Sequence, residues 1–174
     1  MTKSKNEPPF VISFETAVLE SIRVQNKVYT RVTLNSGEEF VVNLKPYDII
    51  KKSCSHYGTI IKLVKKNSRD AIGNVYKLPL VISHDYGIPC IFFPLLSEKS
   101  DFNVWFSLDA IQTFSSSDDG GCLIFLKNGK IIPVNSSPNT ITTQFSRSST
   151  LKNIHQTKMR KLSSNSLLPE IEPF

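Results

Sequence analysis

The chain repeats itself at an offset of 92 residues without a gap. Residues 14–50 lie over 106–142, and seven positions are identical: Phe14/Phe106, Leu34/Leu126, Gly37/Gly129, Val42/Val134, Asn43/Asn135, Pro46/Pro138 and Ile49/Ile141. Leu19/Ile111, Val32/Ile124 and Phe40/Ile132 are conservative pairs. Each copy reads as strand, Asn/Ser-Gly turn, strand, polar link and a helix opened by proline. Shared turn chemistry gives any two hairpins some likeness, but seven identities in one register favour a duplication. The period is too long for a solenoid. The expected fold is therefore α+β and β-rich: two similar hairpin-plus-helix halves packed as one domain and related by an approximate two-fold axis. A length of 174 residues suits one domain with a core of its own.

Local signals set the expected boundaries. Residues 1–9 read as a disordered leader ending at Pro8-Pro9. The folded domain spans 10–146. Val28–Leu34 and Glu39–Leu44 are strands around the Asn35-Ser36-Gly37 turn. Pro46 opens a helix at a position where its missing N–H costs nothing. Asp48 complements the helix dipole there, and Gly58 stops the helix. Tyr47, Ile50, Cys54 and Tyr57 form its apolar face. Thr59–Val64 reads as a strand leading into Lys65-Lys66, and Asn67–Asp70 as a loop. Val75–Ile82 and Cys90–Phe93 read as strands. Ser107–Gln112 reads as a short helix capped by Ser107. Leu123–Leu126 and Lys130–Val134 form a hairpin about Asn128-Gly129, the strongest turn signal in the chain. Residues 147–174 are a basic, Ser-rich, flexible tail in which Leu151, Ile154, Lys158, Met159 and Leu162 permit an amphipathic helix.

Charge is unevenly placed. The net charge is +6, yet residues 1–44 are neutral, with five basic and five acidic groups. Residues 45–77 hold eight basic groups (Lys45, Lys51, Lys52, Lys62, Lys65, Lys66, Arg69, Lys77) against Asp48 and Asp70. Residues 78–146 are net −3 and the tail net +3. A basic block of this kind points to an acidic partner, such as nucleic acid.

Catalytic and metal chemistry has little support. Three histidines and three cysteines offer one close pair, Cys54-x-His56, and a zinc site needs about four ligands. Cys54, Cys90 and Cys122 are expected to be reduced and buried. No phosphate-cradling or nucleophile motif occurs. Asp118-Asp119 in a Ser/Gly loop reads as a solvated turn. No enzyme activity and no cofactor are expected. No apolar run approaches the ~18–20 residues of a spanning helix, and the polar start carries no secretory signal, so a cytoplasmic protein without membrane contact is expected.

At Ile49–Gly58 the sequence resembles a known family, the bacterial competence transcription factor ComK. Ser53-Cys54-x-x-Tyr57-Gly58 carries the likeness, and Lys77-x-Pro79, Phe92-Phe93-Pro94 with Ser97, Trp105 opening a short helix, Asn128-Gly129 and Arg147 extend it over about residues 40–147. The family's Gly-Arg/Lys-Lys stretch is replaced by Leu63-Val64-Lys65, which moves the basic contact to Lys62, Lys65 or Lys66. The resemblance implies a nucleoid-associated activator of DNA-uptake genes. It would bind double-stranded, A/T-rich boxes through the minor groove as a dimer or dimer of dimers. Lys45, Lys51, Lys52, Lys62, Lys65, Lys66, Arg69 and Lys77 are the DNA-contact candidates, because phosphates and narrow A-tract grooves attract Lys and Arg. Ser53, Cys54, Tyr57, Gly58, Phe93, Pro94 and Trp105 are read as structural. A proteolytic adaptor is a further implied partner, through a C-terminal motif of which Leu167–Glu170 is a faint echo. Two other readings stand beside this one: a β-rich interaction module without DNA binding, and a single-strand binder using Tyr29, Tyr47 or Tyr76.

Overall fold

The computed structural model describes residues 9–163. The first copy of the repeat forms a three-stranded meander. β1 (Thr16–Val24) and β2 (Lys27–Leu34) meet at Gln25-Asn26, both with positive φ, which matches the twist of the flanking strands. β3 (Glu39–Val42) returns after Gly37. The second copy forms its own sheet, β7 (Ile111–Ser116), β8 (Cys122–Leu126) and β9 (Ile131–Val134). Between them β4 (Leu80–Asp85), β5 (Ile88–Pro94) and β6 (Val104–Ser107) join the first meander. The result is one antiparallel six-stranded sheet, ordered β3-β2-β1-β6-β5-β4.

The second hairpin follows the first pair for pair. Val32 faces Phe40 and Thr30 faces Val42, as Ile124 faces Ile132 and Cys122 faces Val134. The turn bonds match too. Leu34 N–H donates to Glu38 O at 2.9 Å, and Leu126 N–H donates to Lys130 O at 2.9 Å. The leading strand is the exception. Thr16 faces Leu34, whereas Ile111 faces Leu126, a slip of three residues against the 92-residue offset.

The six-stranded sheet is buried on both faces, because alternate side chains point opposite ways. Leu19, Val32, Leu80, Phe92 and Trp105 pack with Ile49, Ile50 and Cys54 of α1 (Pro46–His56). Val18, Ile91, Phe93 and Phe106 pack on the second sheet, with Ile141 and Leu151 of α3 (Pro138–Ser163). That double burial is why β5 reads as a continuous apolar run rather than an alternating one.

α1 opens at Pro46 with Asp48 in its first turn. It closes at Gly58, whose φ of +84° is readily open to glycine. Thr59 N–H donates to Cys54 O at 3.0 Å and Gly58 N–H to Ser55 O at 3.2 Å, a Schellman stop.

Five expectations need correction. The strand expected over 59–64 and the loop over 67–70 are one helix, α2 (Ile61–Ile72). Ile61, Val64, Ser68 and Ala71 recur at three- and four-residue spacing. Burying that stripe outweighs the strand preference of the β-branched residues. The strand expected from Val75 begins only at Leu80, because Lys77 takes a φ of +59° and turns the chain. The helix expected over 107–112 is a single 3-10 turn, Leu108–Ala110, before β7, and Ser107 makes no side-chain cap. Trp105 lies on β6 rather than at a helix start. The boundary expected at 147 falls inside α3. That helix runs unbroken to Ser163 and buries Ser148 and Leu151, so the first part of the expected tail packs on the fold. Residues 1–8 of the leader expected over 1–9, the tail beyond 163 and the Leu167–Glu170 motif lie outside the described residues.

Candidate nucleic-acid interface

α1 packs on one face of the large sheet, and α2, joined to it by Tyr57–Ile60, packs against α1, the edge strand β4 and α3. Six of the eight basic candidates sit on this pair. Lys62, Lys66 and Arg69 fall at i, i+4 and i+7 of α2 and are exposed, forming one stripe. Lys52 is exposed on α1. Among the described residues, Lys52, Lys62 and Arg69 have no carboxylate partner. Lys66 pairs with Asp70 at 2.7 Å, but both side chains are largely in water, where such a pair contributes about 0–1 kcal/mol. A phosphate exchanges for that carboxylate at little cost.

The other candidates are held more closely. Lys65 Nζ lies 2.6 Å from Glu98 Oε1 and its side chain is only 19% exposed. Lys51 pairs with Asp48 at 3.1 Å and lies over the Tyr47 ring. Lys45, just before α1, shares Asp101 with Arg23. Lys77 stands apart, in the turn before β4, where its carbonyl accepts Gln144 Nε2–H at 2.7 Å. Glu98 and Asp101 both come from the β5–β6 loop. Asn103 fixes that loop by accepting from Leu95 and Leu96 N–H and donating to Leu96 and Ser97 carbonyls. Sequence reading missed this acidic loop and Arg23. Glu98 is 33 residues from Lys65 in the chain, and no local signal links them.

The residues that carry the family likeness hold the helix pair in place. Ser53 Oγ accepts Ile12 N–H at 2.9 Å, and Tyr57 O–H donates to Ile12 O. Two residues of α1 and its cap thus grip both backbone groups of one residue near the start of the chain. Cys54 between them is fully buried, and burial pushes its thiol up to about 11. It is a packing residue, not a nucleophile. Cys90 is likewise pushed up to about 12, first by burial and then by Asp109. All three cysteines are buried and unpaired. Trp105 is fully buried and stacks on Tyr47 at 6.4 Å. Burial and the neighbouring Glu98 raise the Tyr47 phenol to about 12. Arg147 donates to Tyr76 O at 3.1 Å, tying α3 to the turn before β4. His56 packs edge-on against Tyr57. Among the described residues no group of three His, Cys, Asp or Glu is placed to hold a metal, and no helix is long and apolar enough to cross a membrane.

The arrangement suits binding to a polyanion: exposed cations on a rigid two-helix surface, with the motif residues buried behind it. The family model described as ComK protein matches residues 7–160. Searches of the curated proteins and of the solved structures found no match. The matched segment takes in the helix pair, both sheets and nearly all of α3, and on that span the chain belongs to the ComK family, a family of transcription factors.

Proposed function

We propose that this protein is a DNA-binding activator of competence genes, acting in the cytoplasm on the nucleoid. It recognises A/T-rich boxes mainly through the minor groove and binds them as a dimer or dimer of dimers. The observation that carries this reading is the exposed Lys62–Lys66–Arg69 stripe on α2, extended by Lys52 on α1, in a chain of the ComK family. Each phosphate neutralised releases a counterion, so affinity rests on the number of accessible cations. A narrow A/T minor groove concentrates negative potential and draws in such side chains without a base-by-base code. Of the eight candidates, Lys52, Lys62, Lys66 and Arg69 are assigned phosphate or groove contact. Lys45, Lys51 and Lys65 serve first to fix the surface through their carboxylates. Lys77 is assigned a structural place.

Gel shifts across a salt series test this. Binding to an A/T-box duplex should weaken steeply with salt, with a log–log slope of about −0.9 per phosphate neutralised. Lys62→Ala with Arg69→Ala should flatten the slope by about 0.9 for each phosphate left without its cation. Equal affinity for a G/C-rich duplex would defeat the minor-groove reading. The alternative, an interaction module without DNA binding, draws support from the carboxylates already on Lys45, Lys51 and Lys65. It requires no shift on any duplex.

A further inference from the structure

Behind the basic face, α2, β4 and α3 enclose a groove of about 590 Å³. That volume lies in the range of small-ligand sites. Its lining has two characters. Val64, Ala71, Val81, Leu151, Ile154 and Met159 supply apolar walls from all three elements. The polar part is cationic or neutral throughout: Ser68, Asn67, Ser83, His84, His155 and Lys158. Among the described residues no carboxylate lines it.

Two buried polar atoms in this lining lack partners among the described residues. Ser68 is 1% exposed, yet its Oγ makes no hydrogen bond, not even the common back-bond to its own helix. His155 Nε2 is also buried and unpaired. A buried polar atom without a partner is destabilising, and two beside one groove need an explanation. The His84 and His155 rings lie 5.5 Å apart, with Lys158 one helical turn beyond His155. Lys158 has no carboxylate partner among the described residues. Burial, then His84, then Lys158 hold His155 below the usual imidazole range. The cluster therefore sets the Lys158 ammonium beside two imidazoles, with no carboxylate among the lining residues.

We propose that this groove is a binding site for a small amphiphilic carboxylate, with its hydrocarbon part on the Val64–Leu151–Ile154 wall and its carboxylate among His84, His155, Lys158 and Ser68. A carboxylate accepts only, as this donor-rich end requires. A bare inorganic anion leaves the apolar walls uncovered and is therefore expected to be the poorer ligand.

The test uses the full chain without DNA, so its outcome is independent of the DNA-binding reading. Sodium octanoate is titrated while the imidazole C–H signals are followed by NMR. Octanoate should bind saturably, move the His84 and His155 signals and raise the titration midpoint of His155. Neutral 1-octanol and inorganic phosphate should each bind at least tenfold more weakly. Lys158→Gln lies at an exposed position and leaves the fold intact; it should weaken octanoate severalfold. His155→Gln should weaken it further. No saturable shift with octanoate overturns the proposal. Equal binding of octanol removes the role of the cationic cluster, and equal binding of phosphate removes that of the apolar walls; either result also overturns it. Unchanged octanoate affinity in Lys158→Gln does the same.

Discussion

The two copies of the repeat agree closely in one stretch and part company on both sides of it. From Thr30 to Pro46, and from Cys122 to Pro138, cross-strand partners, turn bonds and the first helical bond match. Ile49 N–H donates to Lys45 O at 3.2 Å, and Ile141 N–H to Ser137 O at 3.2 Å. After that the copies diverge for a local reason. Gly58 stops α1 after 11 residues, while its counterpart is Thr150, which has no such stop, and α3 continues to 26 residues. Their surfaces diverge as well. Lys45, Lys51 and Lys52 stand where the second copy has Ser137, Thr143 and Gln144. Lys52 faces water, whereas Gln144 is buried and donates at 2.7 Å to both Lys77 O and Pro94 O. The same backbone position faces solvent in one half and serves internal tethering in the other.

The largest effect tests the agreement. Ile49 and Ile141 occupy equivalent positions and are both fully buried. Ile49→Ala and Ile141→Ala should each lose about 2–5 kcal/mol in urea unfolding. A near-zero loss at either site breaks the equivalence. The next pair tests the divergence. Gln144→Ala leaves the Lys77 and Pro94 carbonyls without this donor and should lose about 1–3 kcal/mol. Lys52→Ala should change stability by no more than about 0.5 kcal/mol while lowering affinity for an A/T-box duplex. Equal stability losses would remove the distinction. At the helix stop, Gly58→Ala forces a side chain into the left-handed region and should lose about 1 kcal/mol by the same unfolding measurement. An unchanged midpoint there would mean that Gly58 is not what ends α1.

The smallest effect is a pH dependence confined to the second half. His155 has its folded pKa lowered from 6.5. The unfolded chain therefore takes up its proton first as pH falls. Above about 6.5 the imidazole is neutral in both states and contributes nothing. Below it, protonation favours the unfolded state, so stability declines until pH drops beneath the folded pKa. Urea midpoints between pH 7.5 and 5.5 should fall less in His155→Gln than in the parent.

What the sequence discloses depends on how local the cause is. The Asn128-Gly129 turn, the Pro46 start and the Gly58 stop are legible because each is decided by one or two residues. α2 is not, because Ile60, Ile61 and Val64 favour a strand and Asn67-Ser68 favour a turn, until burial of one side decides. The basic block is legible from charge counts alone. Which of its members remain available is not, since Glu98 and Asp101 arrive from a distant loop. The grip of Ser53 and Tyr57 on Ile12 is equally remote in sequence.

The joint between α1 and α2 spans only Tyr57–Ile60 and is closed by its own backbone bonds. Lys52 on one helix and Lys62, Lys66 and Arg69 on the other are thereby fixed at set separations before any partner arrives. Under the proposed DNA-binding function, association with a duplex has no loop to fold and freezes only the outer methylenes of a few side chains. Calorimetry on such a preformed surface should record a modest heat-capacity change, far from that of a segment that folds as it binds.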